Sequence, residues 1–170
     1  MKAYFLRTKR IGFSTWESSD MELATQLWGN PKVTRYICAT GVFTPEKIQE
    51  RLALEVENYR QYGVQYFPIF HLETGDLIGC CGLRPQEEPQ NYELGFHLRP
   101  QYWRQGYGYE AASAMVDYGF STIKAKEIWA GHNPYNLGSK ALLSKLGFKY
   151  VKDTLYPATG LRHPTYVLYG

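Results

Sequence analysis

The chain has 170 residues, a size that favours one domain with its own core and needs no disulfide or metal staple. Its 44% hydrophobic and 21% charged residues are ordinary for a globular protein, and its net charge of +3 includes no basic cluster beyond Arg7, Lys9 and Arg10. This argues against a nucleic-acid partner, and the lack of any long apolar run argues against a membrane partner.

Residues 10–16 are expected to form a first strand. Ser19 and Glu22 have the spacing of a capping box and open a helix with Leu23, Leu27 and Trp28 on one face. Asn30-Pro31 breaks it, and a short helical turn follows around Val33–Ile37. Thr44-Pro45-Glu46 supplies an N-cap, a first-turn proline and a first-turn acid. The helix it starts places Ile48, Leu52, Val56 and Tyr59 at helical spacing and is expected to end at Gly63. Strands over 66–72 and 77–83 should pair as a hairpin across Thr74-Gly75-Asp76. Cys80 and Cys81 are neighbours on the second of these and should face opposite sides. With Cys38 they make an odd count without metal-ligand spacing, so free thiols in a reducing cytoplasm are expected, with no metal. The charged first ten residues give no sign of a signal peptide.

Arg84–Gln90 is polar, holds two prolines and is expected to be a loop before a strand over 91–98. Ala111, Ala112, Met115, Val116, Gly119 and Phe120 mark a helix from Gly108 to Ile123. A strand at Ile128–Gly131 follows, then a helix from about Leu137 to Leu146 with Leu142, Leu143 and Leu146 inward, closed by Gly147. Two strands, near 148–154 and 164–169, finish the chain. The order is mixed α and β, with an antiparallel run before a βαβ crossover, in a single domain over 1–170.

The most informative stretch joins the 91–98 strand to the Gly108 helix. It reads Trp103-Arg104-Gln105-Gly106-Tyr107-Gly108. Backbone N–H groups at a helix start have no intrahelical partner, and the helix dipole adds partial positive charge. Two glycines let a ligand approach, and Arg104 adds a formal charge, so the loop reads as a diphosphate cradle. Gly106-x-Gly108-x-x-Ala111 also matches a dinucleotide fingerprint. However, Arg99 to Gln105 separate the strand from the first glycine, and the nearest acid, Glu127, precedes the next strand instead of following it.

The segment resembles the acyl-coenzyme A site of the GNAT superfamily of N-acetyltransferases. Trp103 stands where that signature usually has Arg or Gln. The loop is similar to the branch that includes ribosomal-protein N-terminal acetyltransferases. Thr8-Lys9-Arg10-Ile11, Ser19-Asp20, Asn30-Pro31-x-Val33-x-Arg35-Tyr36 and Tyr92-Glu93-Leu94-Gly95-Phe96 extend the resemblance, as do Asn136-x-x-Ser139 and Lys145-Leu146-Gly147-Phe148. The resemblance implies a mostly antiparallel sheet of about seven strands, splayed at its centre and flanked by about four helices. It also implies acetyl-CoA as cosubstrate and a primary amine as acceptor, either a protein N-terminus or a small molecule, in a monomer or homodimer.

Acetyl transfer to an amine needs a base, donors for the oxyanion and a proton for the leaving thiolate. Glu93 is the expected base, since the resemblance places the usual general base on this strand, with His97 as runner-up because imidazole titrates near neutrality. Period-two alternation puts Glu93, Gly95 and His97 on one face. The resemblance assigns the coenzyme contacts to the backbone of Phe96, His97 and Leu98, to Trp103, Arg104, Gln105, Gly106, Tyr107 and Gly108, and to Asn136 and Ser139. Many members place a tyrosine acid where this chain has Leu143, so Ser139 is the expected donor and Tyr135 the alternative. Trp28, Tyr36 and Phe43 are candidates for lining the acceptor wall. A non-catalytic acyl-CoA-binding module of the same fold is the other reading.

Overall fold

In the computed structural model, which describes residues 2–170, the expected first strand is a tight hairpin of β1 (Leu6–Arg7) and β2 (Ile11–Phe13). Thr8 makes the turn, its N–H donating to Ile11 O at 2.9 Å and its Oγ1 accepting from Ile11 N at 3.1 Å. The strand stops at Phe13, and Trp16 turns off to donate its indole N–H to Tyr66 O. Helix α1 (Met21–Trp28) begins without the Ser19–Glu22 capping box. Asp20 holds the N-cap position instead, and its carboxylate accepts from Glu17 N and pairs with Lys2. Asn30 caps α2 (Pro31–Thr34), which ends before Ile37. Thr44 caps α3 (Pro45–Tyr62) by accepting from Lys47 N at 3.2 Å, and Gly63 closes it in the left-handed region.

The remaining elements are β3 (Tyr66–His71), β4 (Leu77–Pro85), β5 (Asn91–Leu98), a 3₁₀ turn (Pro100–Tyr102), α4 (Tyr107–Ser121), β6 (Glu127–Gly131), α5 (Leu137–Lys145), β7 (Lys149–Tyr156) and β8 (Leu161–Tyr169). They form one sheet in the order β1-β2-β3-β4-β5-β6-β8-β7. Every pairing is antiparallel except β5 with β6, which α4 connects as a crossover. Among the described residues, the eighth strand and fifth helix, beyond the expected seven and four, are the N-terminal hairpin's extra strand and the single-turn α2.

Each face of the sheet has its own core. Leu83, Leu94, Ala111, Met115, Ile128 and Leu143 belong to the side covered by α4 and α5. Trp28, Leu27, Ile48, Leu52 and Tyr66 belong to the side covered by α1 and α3. Cys81 lies in the first core and Cys80 in the second, as strand alternation requires. Burial pushes the Cys80 thiol up to about 12, so it packs as a small hydrophobe. No helix among the described residues is long and apolar enough to cross a membrane.

The buried face of α3 differs from the expected stripe. Val56 is only half-buried and Tyr59 is exposed, while Glu55 and Asn58 take the inward positions. A carboxylate is tolerated there because its partners are supplied. Glu55 Oε2 accepts from Arg51 Nε at 2.9 Å and from Arg84 Nη2 at 2.8 Å, and Oε1 accepts from Tyr66 N at 2.9 Å. Glu55 thus ties α3 to β3 and β4. Glu55→Ala leaves two guanidinium groups and a strand N–H without their acceptor. The expected loss is about 3 kcal/mol, or roughly 10 °C in Tm, read by thermal unfolding.

Candidate functional site

Strands β5 and β6 pair only at Asn91–Glu127, Tyr92–Ile128 and Glu93–Trp129. Beyond Glu93 they separate: β5 continues to Leu98 against β4 alone, and Ala130–Gly131 pair only with β8. Arg99 N–H donates to Ile78 O at 2.9 Å, which sets the phase of β5. By alternation the amide of His97 faces β4, and those of Phe96 and Leu98 face the gap. Of the three backbone positions expected at the coenzyme, two therefore offer free amides. The gap opens into a cleft of about 1450 Å³. That exceeds the roughly 300–1,000 Å³ of a single small-molecule site and leaves room for two substrates.

The glycine loop borders this cleft at the start of α4. The N–H groups from Arg104 to Tyr109 find no acceptor among the described residues, and the first helical bond is Glu110 N to Gly106 O at 3.1 Å. Arg104 (φ 59°) and Gly106 (φ 84°) both lie in the left-handed region, which curls the loop so that successive amides converge. At Gly106 a side chain would be strained, and it would project into space bounded only by Arg10. The Trp103 indole donates to Leu98 O at 2.8 Å and pins the loop to the end of β5. Gln105 Nε2 bonds Gln101 O at 2.7 Å. The Tyr107 ring is buried, so only its backbone is free for a ligand.

An ion pair invisible to spacing arguments holds this loop. Arg10 donates Nε to Glu110 at 2.7 Å and Nη1 to Gln105 O at 3.0 Å, and its guanidinium lies 3.9 Å from the Tyr107 ring centre. Thr8 Oγ1 and Arg10 N complete the shell of the Glu110 carboxylate. Burial by itself would raise the Glu110 carboxyl, but hydrogen bonds from Thr8 and Arg10 outweigh it and hold it below its ordinary value. A lowered carboxyl contributes fully above its unfolded pKa and loses its contribution as pH falls through the folded one. Affinity for any ligand held by this loop should therefore weaken in acid. For acetyl-CoA, the ligand that the resemblance implies at this loop, Arg10→Ala should raise KM about tenfold with little change in kcat. Glu110→Gln should flatten the acid loss, as read in coenzyme titrations across pH.

Across the gap, Glu93 faces the cleft from β5. Its Oε1 accepts from the Tyr66 hydroxyl at 2.7 Å, and its Oε2 has no partner among the described residues. Tyr66 reaches it by crossing Gly95, where a Cβ would collide with the Tyr66 ring. Burial, then the charge of Glu93, hold the Tyr66 hydroxyl well above its ordinary value, so it stays a donor. His97 shares this face, but its Nδ1 accepts from Trp28 Nε1 at 3.1 Å. Burial, then the positive charge of Arg51 and Arg84, hold its imidazole well below its ordinary value.

Helix α5 lines the cleft beside α4. Asn136 Oδ1 caps it through Ser139 N at 3.1 Å, which leaves the Asn136 amide nitrogen and the Ser139 hydroxyl without protein partners among the described residues. Both residues line the cleft. Leu143 is core, and Tyr135 is exposed at the cleft's edge. Of the residues expected on the acceptor wall, Tyr36 lines the cleft. Trp28 is fully buried beneath it, and Phe43 packs into the α1–α3 core. Tyr66, Arg51, Arg84, Arg10 and Glu110 are the site residues that sequence reasoning missed. Only Arg10 carried a signal, as part of the single basic run and of the Thr8–Ile11 segment of the resemblance.

A family model described as an acetyltransferase (GNAT) domain matches residues 10–149. An uncharacterized N-acetyltransferase, p20 of Bacillus licheniformis, is 28% identical over 145 residues, covering 85% of this chain and 82% of the relative. The crystal structure of a GNAT-family acetyltransferase from Bacillus anthracis matches with a TM-score of 0.80 at 25% identity, over 96% of this chain and 97% of that one. RimL, a ribosomal L7/L12 alpha-N-protein acetyltransferase solved with coenzyme A, shares the fold with a TM-score of 0.81 at 12% identity, over 98% of both chains.

Proposed function

The chain belongs to the GNAT acetyltransferases, acetyl-CoA-dependent enzymes, and from that premise we propose a direct transfer of acetyl to a primary amine held beside Glu93. The acceptor is a peptide N-terminus or a small amine, and both substrates occupy the cleft together. One observation carries this reading: the unpaired amides of Arg104–Tyr109 and the free oxygen of Glu93 border the same cleft, on either side of the strand gap.

Acetyl-CoA supplies an activated thioester, and the chain's own residues do the rest. The loop amides and the dipole of α4 take the diphosphate. Glu93, oriented by the Tyr66 hydroxyl, takes the proton from the acceptor ammonium, directly or through a water. His97 is the weaker base, because its Nδ1 lone pair is already engaged. The amides of Phe96 and Leu98 are placed to receive the oxyanion in the strand gap. As the C–S bond breaks, the Ser139 hydroxyl, with Leu143 unable to donate, hydrogen-bonds the departing thiolate and relays to it the second proton that the acceptor nitrogen gives up, so the serine itself is left unchanged. Asn136 offers its free amide nitrogen to the pantetheine arm.

The test is thiol release from acetyl-CoA against a panel of peptides and small amines. The expected result is amine-dependent release with a matching acetylated product. Coenzyme binding without release for any amine would overturn the reading in favour of a binding module.

A further inference from the structure

We propose that the acceptor carries a carboxylate close to its reacting amine, and that Arg84, with Arg51 beside it, selects for that group. The inference rests on the transfer reaction proposed above and specifies its substrate class.

Arg51 and Arg84 line the cleft on the same side as Glu93. Arg84 is the cross-strand partner of Glu93 in the β4–β5 register. Both guanidinium groups sit against the Tyr66 ring, at 4.3 Å for Arg84 and 5.3 Å for Arg51, and Tyr66 is the residue that orients Glu93. Each guanidinium has five N–H donors and spends one on Glu55. Arg84 Nε is buried and finds no acceptor among the described residues. The wall beside the base thus holds two forked cations with donors to spare, only 12% and 29% exposed and backed by a fully buried carboxylate.

Charge balance points to the same substrate. Glu55 and Glu93 offset the two arginines before reaction. When Glu93 accepts the ammonium proton its charge is neutralised, leaving two cations against Glu55 alone. A carboxylate on the acceptor restores the balance in a site where charges are poorly screened. A polyamine would instead bring a further cation to the two arginines. Glu87 and Glu88 also line the cleft, but they are exposed on the turn between β4 and β5, where solvent screens them. The planar fork of arginine suits bidentate capture of a carboxylate.

The shared chemistry could come from a free α-amino acid or from a peptide with an N-terminal Asp or Glu. The experiment measures kcat/KM for matched pairs: L-amino acids against the same amines lacking the carboxylate, and peptides beginning with Asp or Glu against those beginning with Asn or Gln. Spermidine is the cationic control. Preference for the acidic member of either pair by about tenfold or more is expected, and the pair that shows it identifies the source. Equal or better turnover of the neutral amines or spermidine would overturn the inference while leaving acetyl transfer intact. No turnover of any amine, with coenzyme still bound, would overturn both. Arg84→Lys keeps a cation for Glu55 but loses the fork. It should raise KM for the acidic acceptor about tenfold more than it raises KM for the neutral partner. A preference that survives in this variant would remove Arg84 from the role.

Discussion

Gly106→Glu removes coenzyme binding. Gly106 sits at the N-cap of α4 with φ 84°, amid six main-chain N–H groups that have no acceptor among the described residues. Two effects combine. A non-glycine residue at this φ is strained, which costs about 1 kcal/mol. A carboxylate at the mouth of the loop competes for the amides and repels a diphosphate. Affinity for coenzyme A measured by calorimetry should fall at least about 100-fold. Gly106→Ala separates the causes, since it carries the strain without the charge and should lose far less affinity. Arg10 Nη2 lies within 3.4 Å of the position a Cβ would take, so the new carboxylate also has a competing partner that could draw it off Glu110. A Glu variant that binds coenzyme as tightly as the parent would refute the cradle.

Glu93→Gln is expected to lower kcat/KM by about 100-fold or more while coenzyme affinity is unchanged. The amide keeps an acceptor for the Tyr66 hydroxyl, so the local packing survives and the loss reports on proton transfer. The deficit should be greatest at lower pH, where the amine is protonated and needs a base most. Tyr66→Phe tests the orienting role. It should lower kcat by a smaller factor than Glu93→Gln and leave the shape of the pH profile intact. A Glu93→Gln enzyme whose pH–rate profile matches the parent in shape and height would exclude the carboxylate as base.

Local signals carried much of the architecture. Thr44-Pro45 started α3 and Gly63 ended it, because capping depends on residues within a few positions of one another. The Ser19–Glu22 box failed for a related reason: Asp20 was drawn to Glu17 N–H and Lys2. Alternation along β5 correctly separated Glu93, Gly95 and His97 from Leu94, Phe96 and Leu98. It could not reveal that Trp28 occupies His97, because those residues meet only when α1 packs on the sheet.

The sequence alone determined the family, the strand–loop–helix that runs from β5 into α4 and the face of β5 on which Glu93 stands, since each is written in neighbouring residues. The tertiary structure alone decided how that machinery is held and what faces it. Arg10 meets Glu110 across a separation of 100 residues, and Glu55 gathers Arg51 and Arg84 from different elements. Such contacts depend on how layers pack rather than on any local period. The chemistry of the wall beside Glu93 therefore became readable only once α3 had been laid against β3 and β4.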